Sequence, residues 1–437
     1  MLISSSAVQA STVAGRPISF ATNLPLSASA HLDAARVLAA QIVLLGHIRV
    51  LFLVDYFDIA PKPGFVTKLL YWICGLQHES VIVFFVLSGL LISRSVIHSW
   101  ETGTWLWRDY LTDRLVRLYV VLIPGLLIGL LWDGLGYGLP SSHWLYAEPL
   151  ARFEDVTIAS QLTLRAFIAN LTFQQTILHS AFGSNLPLWS LACEFWYYML
   201  FPLLFFGALG WRRRGRHNGT RSLRRSAQYF ALAGLVLWLL GWGKIVWFVV
   251  WLFGFAVWVL NQRFRLRRPM RPVVLCSGAL LLIATLSIAR MRVLSLWSSD
   301  LVVGAVFALF VLALLQTGPP SSARYLRLAR VAAGFSYSEY ITHFPLIVFI
   351  CAALGSHARW QPDTLHLAYV VIVAVAAILY AYIFSVLTES HTRTVKGWIR
   401  RKEALSLVTG ETPLNGAPLA QEFIPATERR ANCHEGI

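Results

Sequence analysis

Charged side chains are scarce in this sequence. Asp, Glu, Lys and Arg make up 13% of its 437 residues, whereas 57% are hydrophobic, and so thin a polar complement cannot clothe a water-soluble globule of this size. Lipid is expected to be the solvent for much of the chain. Acidic residues are the scarcer sign, 21 against 37 Lys and Arg, and the formal charge is +16. That excess does not point to nucleic acid, because the arginines lie in short clusters between apolar runs and form no continuous stripe or basic arm. Cysteine is sparse too. Cys74, Cys193, Cys276, Cys351 and Cys433 stand far apart with no paired ligand spacing, so neither a disulfide framework nor a zinc site is indicated and no metal is expected. Residues 1–30 hold Arg16 as their lone charge, with no basic segment ahead of an apolar stretch. This argues against a cleaved signal peptide, and the Ser-, Ala- and Thr-rich tail is expected to be disordered. No internal repeat of the kind that builds many secondary transporters is present.

What the sequence has in abundance is apolar runs long enough to cross a bilayer as helices. Spans are expected at about 33–54, 80–97, 115–132, 187–209, 227–241, 244–260, 273–289, 300–316, 336–354 and 365–387. The fold class is therefore an all-α integral membrane protein, a bundle of about ten transmembrane helices. With the N-terminus in the cytoplasm, the basic stretches 212–225, 263–271 and 324–330 all fall on the cytoplasmic side, while the opposite loops keep only scattered charges such as Lys62, Lys68, Arg152 and Arg165. Both termini are then cytoplasmic, as the positive-inside rule requires. Three regions follow: a tail over 1–30, a membrane domain over 31–388 and a polar cytoplasmic tail over 389–437, its end expected to be disordered. The longest external connection, about 133–186, is expected to carry an interfacial helix near 162–178.

Ionisable groups inside spans cost roughly 2.5–3.5 kcal/mol each at the bilayer centre on insertion scales, so each needs a reason. Arg36 and His47 are eleven residues apart in the first span, about three turns plus 20° of rotation and about 16 Å of rise, so they project from one face. Ser88-Gly89 in the second span offers a small surface for close approach of a helix or thin ligand. Arg114 and Arg117, three apart at the start of the third span, share a side and suit phosphate binding as well as interfacial anchoring. Glu194 sits about two turns into the fourth span, where its carboxylate needs a His or Arg partner or a proton. His343 lies near the middle of the ninth span, beside Pro345, which frees a backbone carbonyl.

These segments, in this order, resemble membrane acyltransferase family 3, whose members O-acylate lipopolysaccharide O-antigen, exopolysaccharides, Nod factors and other glycans. Leu32-Asp33-Ala34-Ala35-Arg36 to His47 is similar to the family's Arg-x10-His signature, Phe84 to Gly89 to its second-helix motif and Arg114 to Tyr119 to its basic segment. Pro187 to Tyr198 resembles its Leu-Trp-Ser-Leu-x-x-Glu motif, and Phe335 to Pro345 its Tyr-Ser-x-Tyr-x-x-His-x-Pro motif. The resemblance runs from Leu32 to about Thr388. Ala34 and Val37 replace common glycines, Val120 a common proline, and Glu339 stands at a usually apolar position. The resemblance implies an acyl-CoA donor, usually acetyl-CoA, bound from the cytoplasm, and a glycan or glycolipid acceptor at the outer face of a bacterial inner membrane. Arg36, Arg114 and Arg117 would then meet the donor's phosphates. A neutral His47 would take the acceptor's proton or carry the acyl group transiently, with Glu194 holding the imidazole and Ser88 or His343 donating to the oxyanion. The rival readings are a transporter or flippase for a lipid-linked saccharide, in which these groups line a path without covalent chemistry, and a membrane sensor or scaffold.

Overall fold

The computed structural model describes residues 26–148, 156–212, 219–317, 322–355 and 359–409. Among them the regular structure is helical, with two isolated bridges, Leu53 with Trp360 and Gln175 with His179. In chain order the helices are α1 (Leu26–Phe52), α2 (Phe65–Cys74), α3 (Gln77–Glu101), α4 (Trp107–Tyr137), α5 (His143–Tyr146), α6 (Leu164–Leu171) and α7 (Leu188–Arg212). They continue as α8 (Gly219–Arg263), α9 (Met270–Arg290), α10 (Leu296–Leu315), α11 (Ala323–Ala333), α12 (Ser336–Ala353), α13 (Thr364–Leu387) and α14 (Thr392–Thr409).

Eight of the described helices are long and apolar enough to cross a membrane. One of them, α8, bends at Gly241, whose φ of 72° suits glycine. Its two arms of about 22 residues rise about 33 Å each, a bilayer's hydrocarbon thickness. The helix α12 falls outside the eight because its first half is polar, carrying Ser336, Ser338, Glu339, Thr342 and His343, all buried. The ten expected spans fall on α1, α3, α4, α7, the two arms of α8, α9, α10, α12 and α13.

Two apolar cores organise the bundle. The larger joins α3, α4, α7, α8 and α10 around Phe85, Tyr197 and Trp251. The smaller joins the end of α1 to α12 and α13 around Ile48, Phe344 and Ala377. The close approach expected at Ser88-Gly89 is made by α8: a methyl group added at Gly89 would overlap the Trp251 carbonyl oxygen, and one at Gly254 the Val86 carbonyl oxygen. Without a hydrophobic drive between helices in lipid, such small-residue contacts are what let backbones pack.

Prolines in the spans leave the carbonyl four residues back without its helical donor. Pro345 does this to Ile341, whose oxygen accepts instead from Asn185 Nδ2 at 2.8 Å. Pro202 does it to Tyr198, whose oxygen accepts from the Tyr110 hydroxyl at 2.8 Å. Each substitution of donor ties a neighbouring segment to the helix that bears a site residue.

Three boundaries differ from expectation. The helix α1 already begins at Leu26, since Ser and Ala are tolerated in its first turns and Ala30 and Leu32 are buried; residues 1–25 lie outside the described ones. Past Glu389 the expected disordered end is helical as far as Thr409, and Lys396 and Arg400 of α14 reach Asp113 of α4 at 2.6 and 3.0 Å. Residues 410–437 lie outside the described ones. The interfacial helix is only Leu164–Leu171, capped by Thr163, because Phe173 and Thr176 take left-handed φ values of 57° and 61° through which an α-helix cannot continue.

Gly89→Ala is expected to destabilise the protein by about 1–3 kcal/mol through overpacking of α3 against α8. Thermal unfolding in detergent, read beside Gly64→Ala, where the added methyl meets nothing, checks this: the Gly89 variant should melt lower and the Gly64 variant should not.

Candidate active site

Two cavities adjoin in the seam between the cores. The first, about 240 Å³, is lined by Arg36 of α1, Ser88 of α3, Arg114 and Arg117 of α4, Glu194 and Tyr198 of α7, and Tyr337 and Tyr340 of α12. Three guanidiniums thus face one carboxylate. Arg36 has Asp33, one turn back, at 3.8 Å and lies within electrostatic reach of Arg117 and Glu194. Arg114 donates to Ser95 Oγ at 3.1 Å and lies 5.5 and 5.9 Å from the ring centres of Tyr110 and Tyr198, so its planar fork is fixed by stacking on two aromatic rings. Arg117 has no hydrogen bond or ion pair among the described residues. Glu194 accepts a short hydrogen bond from the Tyr198 hydroxyl. A second carboxylate nearby, Glu389, is engaged by the Ser338 hydroxyl at 2.8 Å.

The second cavity, about 260 Å³, is lined by His47 of α1, Gln77 and His78 of α3, Thr176, Trp189 of α7, and Phe344 of α12, with Val81 and Tyr340 common to both cavities. Here His47 Nδ1 lies 2.9 Å from His343 Nε2, the rings stacked 14° from parallel. The other nitrogen of His343, Nδ1, lies 2.8 Å from the backbone oxygen of Glu339. A carbonyl can only accept, so the network assigns the His343 proton to Nδ1 and leaves Nε2 as acceptor. His47 Nδ1 must then be the donor, and the neutral His47 ring presents an unprotonated Nε2. Glu339 itself is held by Gln41, whose amide donates to both carboxylate oxygens at 2.9 and 3.0 Å.

A protein-family model described as an acyltransferase domain matches residues 29–386. The chain belongs to that family. It is membrane acyltransferase family 3, the family whose motifs the sequence resembles, and the match spans nearly the whole membrane domain. No curated protein and no solved structure matches the chain.

The structure of this acyltransferase brings Arg36, Ser88, Arg114, Arg117 and Glu194 together in the first cavity and places His47 in the lining of the second, with His343 hydrogen-bonded behind it. Three expectations change. Arg36 and His47 share a helix face but line different cavities, which adjoin through Val81 and Tyr340, common to both linings. The partner that orients His47 is His343 and not Glu194, whose carboxylate is turned to Arg36 and Tyr198. Ser88 lines the arginine cavity and accepts from Trp251 Nε1 at 3.2 Å, which separates it from the imidazole and from the oxyanion role expected there. The unusual Glu339 is matched by Gln41, one residue pairing that the sequence carries 298 positions apart.

Two residues of the acyltransferase escaped sequence reasoning. Tyr340, in the family-like segment, has its hydroxyl 2.9 Å from the Pro187 oxygen and 2.6 Å from Ser190 Oγ, and this fixes the ring where the cavities adjoin. Asp300 is the sole carboxylate of α10, an otherwise apolar helix whose sequence alone could have singled it out. Among the described residues no group of three or more His, Cys, Asp and Glu side chains could hold a metal ion.

Tyr340→Phe removes the hydroxyl that anchors this ring and is expected to lower stability by about 1 kcal/mol, the net worth of a typical hydrogen bond. Denaturation of the purified protein would show this; an unchanged midpoint would mean that the Ser190 and Pro187 contacts do not hold the ring.

Proposed function

We propose that this membrane acyltransferase moves a short acyl group, acetyl in the simplest case, from acyl-CoA to a hydroxyl of a cell-surface or exported carbohydrate. In this reading the chain lies in a bacterial inner membrane with its basic end in the cytoplasm. The observation that carries the reading is the division of labour between the cavities: three arginines in one, a bare imidazole nitrogen in the other, and Val81 and Tyr340 common to both.

The first cavity is the donor site. Coenzyme A brings phosphates, which Arg114 and Arg117 suit by charge and by fork geometry, while Arg36 lies further along the same cavity. The thioester end reaches Val81 and Tyr340, where the two cavities adjoin. The second cavity takes the acceptor, with Trp189 as an aromatic face and Gln77 and Thr176 as polar contacts for hydroxyls. His47 Nε2 removes the proton of the attacking hydroxyl, and His343, locked by the Glu339 carbonyl, keeps that nitrogen unprotonated by accepting from Nδ1. With Nε2 acting as a base, the acceptor attacks the thioester directly and no acyl-enzyme is needed.

Transfer of radiolabel from acetyl-CoA to the glycan of a deletion strain tests the reading, with mass spectrometry of that glycan against the parent's identifying the modified sugar. His47→Ala should lower transfer by about 10² to 10⁴, the usual worth of a general base, in protein that still inserts. Arg114→Gln and Arg117→Gln should raise the KM for acetyl-CoA more than they lower kcat. Full transfer by His47→Ala would remove it from its role, and a wild-type protein that neither binds nor consumes acetyl-CoA would favour a saccharide carrier without chemistry.

A further inference from the structure

His78, the second residue of α3, lines the chamber of His47 but takes no part in the His343 relay. Its Nε2 lies 2.9 Å from Asp300 Oδ1, and the other oxygen of that carboxylate accepts from Trp247 Nε1 at 2.8 Å. Asp300 is 1% exposed and opens a helix that is apolar from Leu301 to Leu315. An ionised carboxylate so placed is costly unless an opposite charge and hydrogen-bond donors face it. Trp247 supplies a neutral donor, so His78 is the group that can supply the charge. Glu79, the next residue on α3, adds a second carboxylate within electrostatic reach of His78 and itself lies within reach of Arg290.

A carboxylate only accepts, so the His78 proton facing Asp300 sits on Nε2. Charged, the ring carries a second N–H at Nδ1, which has no partner among the described residues. The chamber therefore holds two imidazoles prepared for opposite tasks: a neutral one, His47, backed by His343, and a cationic one, His78, backed by a carboxylate. Such divergence between paired titratable groups is how acid and base roles are assigned within one site.

We infer that His78, held as an imidazolium by Asp300, is a second catalytic residue of the chamber, donating from Nδ1 to the acyl oxygen as it becomes negative. This rests on the acyl-transfer reading above. The acceptor hydroxyl gives its proton to His47 Nε2 as its oxygen bonds to the thioester carbon, and the carbonyl electron pair moves onto the oxygen that His78 meets. Collapse restores the carbonyl and breaks the carbon–sulfur bond, and the departing thiolate takes the proton from His47. An ester and a thiol are formed, His47 returns to neutral, and His78 ends in the protonation state in which it began. The same bonds would also clamp α3 to α10, and a clamp alone would leave the chemical step untouched once the protein is folded.

The test compares wild type, His47→Ala, His78→Ala and Asp300→Asn in one assay, radiolabelled acetyl-CoA with glycan from the deletion strain. His78→Ala should lower kcat by about 10² to 10³, the range for losing one oxyanion donor, with the KM for acetyl-CoA unchanged and part of the rate restored by added imidazole. Asp300→Asn keeps the shape of the contact and should lower kcat in the same direction without lowering the melting temperature to match. His78→Ala within threefold of wild type, while His47→Ala is inactive, overturns this inference and spares the acyl-transfer reading. If His78→Ala does not fold, His78→Gln decides, and a wild-type rate there overturns the inference. Activity losses that track losses of thermal stability across the variants overturn it as well. A wild-type protein without acyl transfer overturns both.

Discussion

The hydrogen bond between His47 and His343 joins the first described helix to the twelfth and fixes which nitrogen of each ring carries a proton. It exists because α12 is polar where a membrane helix is normally apolar, and because α1 brings Gln41 and His47 to the two polar positions that need partners. In hydrocarbon an unpaired amide, carboxylate or imidazole costs several kcal/mol, so these pairings bind α1 to α12 as firmly as the apolar packing around them. The seam between the two cores, and with it both cavities, follows from that attachment.

Backbone groups obey the same demand. Pro345 and Pro202 each deprive a carbonyl of its helical donor, and the replacements come from the elements that shape the site. Asn185 anchors the loop leading into α7 onto α12, and Tyr110 ties the start of α4 to α7 beneath the ring of Tyr198. Arg114 then lies over both tyrosine rings. A proline in one span thereby sets the position of a guanidinium on another, with no direct contact between the two residues.

Much of this was legible in the sequence wherever a signal is periodic or local. The rotation between Arg36 and His47, the spacing of Arg114 and Arg117, and the long apolar runs all depend on neighbours along one helix. Pairings across the bundle leave no such trace. Nothing local says that His47 meets His343 rather than Glu194, or that Ser88 turns to Trp251, since those contacts depend on how helices rotate against each other. Asp300 is the instructive omission: an acid at the head of an apolar run is conspicuous, yet its meaning rests on His78, more than two hundred residues away. The short helices α2 and α11 and the amphipathic α14 escaped for a different reason, being too brief or too polar to register as spans, while α6 was expected, over a longer stretch.

The boundary at Val81 and Tyr340 bears on the electrical insulation of the bilayer. Each elementary charge crossing a potential of 100 mV releases about 2.3 kcal/mol, so an unbroken file of water through both chambers would let ions run down any potential across the membrane. An isopropyl group and a phenol whose oxygen is already engaged by Pro187 and Ser190 line the boundary between the chambers without placing a charge there. On the acyl-transfer proposal, the unit that moves from one chamber to the other is uncharged.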